Sequence, residues 1–164
     1  MTRQHPLELF TPPNVLKAKV GGGAFPSLDM EAIKRGEAAM EELKSEFASW
    51  AADDVKRLVA AREAFAQAQT PQTRAALLRA AHDMKGQAAT FDYPLIAKVS
   101  GSLSKLIYEL PPETGLPLGL VDAHVSAIHV IYRDKVMDLS NKVALVLIQE
   151  LEKQVGEILE SAKG

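Results

Sequence analysis

The chain has 164 residues, a length that suits one domain with room to bury a core. Hydrophobic residues make up 47% of it and aromatics only 5%, with a formal charge of -2 and the signs interspersed, so there is no basic footprint for nucleic acid. Without cysteine it has neither disulfides nor thiolate metal sites. Residues Met1 to Phe10 lack the apolar stretch of a signal peptide, and the densest apolar run, Val143 to Ile148, is far short of a membrane span. The expectation is a soluble, cytoplasmic protein that binds neither nucleic acid nor membrane.

Residues 1–26 carry Thr11-Pro12-Pro13, Gly21-Gly22-Gly23 and Pro26, which oppose regular structure. Leu9, Phe10, Val15, Leu16 and Val20 make this segment too apolar for a pure linker, so it is expected to lie irregularly against the body. Residues 27–164 read as a single helical domain. Ser27 can cap a helix whose first turn holds Asp29 and Glu31 and which continues to Phe65, with a break expected near Ala51 to Asp54. Thr70 and Pro71 start a second helix, about 71–91. Asp92 is expected to cap a third, roughly 93–110, with Leu95, Val99, Leu103, Leu106 and Leu110 on one stripe.

Pro111 to Gly115 makes a firm turn before a short helix, about 119–133, with Val121, Val125, Ile128 and Tyr132 inward. A last helix runs to about Ala162 with Ile148, Leu151, Val155 and Ile158 at 3–4 spacing. No stretch alternates with the period of a strand. The expected fold is all-α, an antiparallel up-down four-helix bundle with additional N- and C-terminal segments. Three placements stay open for the last helix: completing the bundle, packing outside it, or pairing with a second copy.

Chemistry concentrates in the second helix. Leu77, Leu78, Ala81, Met84, Ala88 and Phe91 form its apolar stripe, and at about 100° per residue His82 falls well off it, toward solvent. Gly86 and Ala89 continue the face of His82, and Lys85 flanks it. A neutral imidazole offers a lone pair to phosphorus, and an ammonium beside it can neutralise phosphoryl oxygens. Gly86 costs about 1 kcal/mol relative to alanine inside a helix. It lies nearly opposite the apolar stripe, where close helix packing does not explain it. Clearance for a docking partner does.

The segment Ala81-His82-Asp83-Met84-Lys85-Gly86 and the residues that follow to Phe91 resemble the signature of the histidine-containing phosphotransfer (HPt) family. The likeness is close over 81–95 and extends over about 45–133 in helix pattern. It implies that His82 accepts a phosphoryl group from, or donates it to, an aspartate of a receiver domain. It also implies that Lys85 stabilises phosphoryl charge, that Gly86 gives clearance, and that Mg²⁺ belongs to the partner receiver. The implied partners are response-regulator receiver domains and hybrid histidine kinases; the chain is expected as a monomer, with a dimer through the last helix as the alternative. The sequence departs from the family at Gln87, where a small hydroxyl residue is common, at Asp92, where glycine is common, and at Ser104, where an acid is frequent.

His124 and His129 stand five apart and do not share a helix face as a metal pair would, so no metal site is expected. No phosphate-loop or dinucleotide motif occurs, so the reading is a phosphocarrier with no kinase domain or cofactor of its own. A helical interaction module that docks the same partners without phosphotransfer is the second reading.

Overall fold

The computed structural model describes residues 29–164; the readings made for 1–26 and for Ser27 lie outside the described residues. By compactness the chain divides into a unit of residues 1–40 and a unit of residues 41–164. In the first, Asp29 takes the capping position, its carbonyl accepting from the Ile33 N–H and its carboxylate from the Glu31 N–H at 3.1 Å. The described residues of this unit are all exposed.

Five helices are described: α1 (Met30–Gln67), α2 (Pro71–Thr90), α3 (Pro94–Glu109), α4 (Leu118–Arg133) and α5 (Lys142–Ser161). There is no strand among the described residues. The second unit is an up-down bundle. Phe47 of α1 meets Phe91 just past the end of α2, ring centroids 4.6 Å apart, and only residues 68–70 join the two helices, so they run antiparallel. Arg74 on α2 reaches Ile107 and Leu110 of α3, while Lys85 lies beside Gly101, giving the same antiparallel sense to α2 and α3. The ring closes where Arg62 of α1 pairs with Asp122 of α4 and the Tyr132 hydroxyl donates to the Ala48 carbonyl at 2.9 Å.

No break interrupts α1 near Ala51 to Asp54, contrary to the sequence expectation. Ala51, Asp54, Val55 and Leu58 are all buried at helical spacing, so packing holds the helix through them. Arg57, one turn on, binds one oxygen of the buried Asp54 carboxylate, while the other oxygen has no hydrogen-bond partner.

Both ends of α2 follow from local chemistry. Thr70 and Thr73 form a reciprocal capping box at 3.2 and 3.0 Å, with Pro71 at the first position, where its missing N–H is harmless. At the other end Asp92 has φ 61°, and the Tyr93 N–H reaches the Ala88 carbonyl at 2.8 Å. This is a left-handed helix stop, and it corrects the expectation that Asp92 caps α3. The cap position of α3 falls on Tyr93, with no side-chain bond.

Helix α3 is the centre of the unit, packing against α2, α4 and α5. Leu95, Val99, Leu103, Leu106 and Leu110 are buried as the stripe predicts, together with Ile96 and Ile107. Each such side chain contributes about 1.5–3 kcal/mol on burial. The last helix, left open by the sequence, packs on α3 and α4 through Ala144, Ile148, Leu151, Val155 and Leu159, which join the same core. Its start is capped by Asn141, which accepts from the Ala144 N–H at 3.0 Å.

Candidate functional site

Helix α2 puts Leu77, Ala81, Met84 and Ala88 into the core. With that face anchored, His82 can only project outward, and it is exposed. Ala89, two turns on, is exposed on the same face. Gly86 is exposed between them, and a Cβ added there would meet nothing within 4 Å. Internal packing therefore does not require a glycine at this position. The Gly86 carbonyl accepts from the Thr90 hydroxyl at 2.9 Å, a bond inside the helix that leaves the His82 face open.

Lys85 is exposed, but its stem is not free. Its Cδ and Cε lie 3.6 Å from the position of a Cβ on Gly101, so the aliphatic chain rests across α3 where that helix lacks a side chain. The stem thereby lies on the α3 flank of α2, three residues and about one turn from His82. Gln87 is half-buried on the other side of α2. Ser104 is buried and donates to the Ser100 carbonyl at 2.8 Å inside its own helix.

The opposite flank of α2 meets α1. Asp83 and Arg79 there face Asp54 and Arg57 across a shallow cleft, a balanced set of charges. The two sides of His82 therefore differ electrostatically.

Two features were not drawn from the sequence. Lys98 and Lys105 on α3 join Lys85 around one cleft; their spacing of seven residues puts them on one helix face, but only the packing of α5 shows that this face borders the α2 flank. His124 is fully buried. Its Nδ1–H donates to the Leu120 carbonyl at 2.7 Å and its Nε2 accepts from the Ser102 hydroxyl at 3.0 Å. Burial lowers its pKa below the usual histidine value, more than the Leu120 bond raises it, so it sits in the core as a neutral ring. The signal was present in Leu120, Val121, His124 and Ile128, a 3–4 stripe with the histidine inside it. No group of three or more His, Cys, Asp or Glu side chains suited to a metal occurs among the described residues.

On this all-α bundle an exposed imidazole at mid-helix stands one turn from an exposed lysine and a side-chain-free position. The Hpt domain family model matches residues 42–129, more than half of the chain and the span from within α1 to within α4. The chain belongs to the Hpt domain family, whose members are phosphotransfer modules of two-component signalling that work with receiver domains and histidine kinases. Comparison with curated proteins and with solved structures gives no match. No described helix is long and apolar enough to cross a membrane.

Proposed function

We propose that this chain relays a phosphoryl group between aspartates of receiver domains through His82. The observation that carries the reading is the open surface at mid-α2, where His82 is exposed and Gly86, one turn away, leaves space on its approach side. A ring nitrogen of His82 attacks, through its lone pair, the phosphorus of a receiver's aspartyl phosphate. The N–P bond forms as the P–O bond to the aspartate breaks, and the carboxylate leaves with the electron pair. The second ring nitrogen keeps its proton. Transfer onward is the same displacement reversed, with the carboxylate of a second receiver as nucleophile.

Phosphoryl transfer of this kind depends mainly on alignment and on neutralising the equatorial oxygens. Lys85 supplies a cation about one turn from His82, its stem resting on Gly101. Gly86 keeps the path of the partner clear. The chain thereby acts as a phosphocarrier, with Mg²⁺ and the acidic phosphorylation pocket on the receiver.

The deciding experiment is incubation with a phosphorylated receiver domain. An acid-labile, base-stable label should form on the wild type and be absent from His82→Gln. Label that persists in His82→Gln removes His82 from the reaction. Stable binding of a receiver without label favours a docking module instead.

A further inference from the structure

The cleft between α3 and α5, of about 650 Å³, is roofed by Lys85 and lined by Lys98, Gly101 and Lys105 of α3 and by Glu152 and Val155 of α5. Lys85, Lys98 and Lys105 are exposed, and none of them takes part in the ion pairs found among the described residues. Among the residues lining the cleft one carboxylate faces three lysines, and Glu109 stands one turn beyond Lys105 on α3. Glu152 is a single acid on the far wall, and Glu160, which also feels Lys105, is paired with Lys163 at 2.9 Å.

Register sets these lysines along the α3 flank of α2, at the axial level of the segment that carries His82. Gly101 lies beside Lys85, and the two helices run antiparallel. One turn forward on α3, at Lys105, is one turn back on α2, at Ala81 and His82. Lys98 lies about one turn from Gly101 in the other direction, toward the level of Ala88 and Ala89. The lysines thus flank the whole docking face on its α3 side, whereas the α1 side carries the balanced set Asp54, Arg57, Arg79 and Asp83.

The aspartyl phosphate that a receiver presents is itself an anionic group. A one-sided row of cations along this flank would attract the face that bears it and also fix the rotation of that face about the transfer axis. We propose that this cleft borders the phosphoryl-bearing face of the docked receiver, with Lys98 and Lys105 as positioning residues that attract that anionic face and orient the donor over His82. The inference rests on His82 being the acceptor and assigns the side from which the partner is held.

The test compares two donors on the full chain: a receiver domain charged with acetyl phosphate, selected as the fastest to label the wild type, and phosphoramidate, which needs no docking surface. The variant is Lys98→Glu with Lys105→Glu, both at exposed positions. Transfer from the receiver should fall roughly tenfold or more, through KM and not kcat, and lose most of its salt dependence. Labelling by phosphoramidate should be unchanged, and Lys98→Arg with Lys105→Arg should behave as wild type. Receiver transfer within about twofold of wild type, or an equal loss with both donors, overturns the docking role. Failure of both donors to label His82 in the wild type is a separate result: it overturns the functional reading, and this inference with it.

Discussion

His124 of α4 and Ser102 of α3 meet inside the bundle, ring Nε2 to hydroxyl at 3.0 Å, with no solvent reaching the imidazole. The other ring nitrogen must donate, because its partner is the Leu120 carbonyl. Nε2 is therefore the acceptor, and Ser102 supplies the proton of the bond. Protonating His124 would reverse that bond and place a charge in the core.

Burial lowers the pKa of His124 in the folded chain below its ordinary value of 6.5. Above that value the ring is neutral in both folded and unfolded chains and contributes no pH dependence. As pH falls below it, the unfolded chain takes up the proton first, and stability declines by up to about 1.4 kcal/mol per pH unit. Thermal midpoints from pH 7.5 to 5 should show this decline, and His124→Gln, which keeps hydrogen-bonding groups but does not titrate, should flatten it. An unchanged slope in His124→Gln would assign the acid sensitivity to other groups.

Arg74 gives a stability test away from the His82 face. Its guanidinium donates to the Ile107 carbonyl at 2.9 Å and to the Leu110 carbonyl, satisfying groups at the C-terminal end of α3. Arg74→Met keeps much of the stem and removes the donors. It should cost about 1–3 kcal/mol by denaturant titration while His82 labelling by phosphoramidate stays normal. A stability loss under about 0.5 kcal/mol would mean that water replaces the guanidinium at this helix end.

The bundle was legible where periodicity and end signals agreed. Thr70-Pro71 marked the start of α2, and the stripe from Leu95 to Leu110 marked the core face of α3, because caps and 3–4 spacing are local properties. The errors arose where tertiary context decides. A break in α1 was expected near Ala51 to Asp54, yet Arg57 and the packing of Val55 and Leu58 carry the helix through it. Asp92 looked like a cap, but it holds the left-handed position where the family commonly has glycine, and Asp tolerates that conformation better than most residues. The exposure of His82 followed from helix geometry alone. The resting place of Lys85 on Gly101 did not, since the register between α2 and α3 lies in no local pattern.

That resting place separates charge from packing at Lys85. Lys85→Met keeps an unbranched stem over Gly101 and removes the ammonium. Stability should change by less than about 1 kcal/mol, since a lone exposed charge contributes little. Transfer from a receiver should slow, or the phosphohistidine should hydrolyse faster, as much as in Lys85→Ala. If Lys85→Met keeps wild-type kinetics and only Lys85→Ala is impaired, the residue acts through its stem.

Gly86 gives the sharpest separation of docking from folding. A Cβ at this position meets nothing within 4 Å, so Gly86→Ala should stabilise α2 by up to about 1 kcal/mol through lost backbone entropy in the unfolded chain. Gly86→Gln should fold as well, because its side chain enters open space. That side chain nevertheless stands one turn from His82, which in the proposed relay is the path of a receiver bringing phosphorus into line with the ring. Displacing reacting atoms by about 1 Å can cost about a hundredfold in rate. Gly86→Gln should therefore accept phosphate poorly from its receiver and normally from phosphoramidate, measured as initial labelling rates on protein whose thermal midpoint matches or exceeds wild type. Wild-type transfer from the receiver into Gly86→Gln would show that the partner approaches His82 from another side, and an unfolded variant would return Gly86 to a packing role.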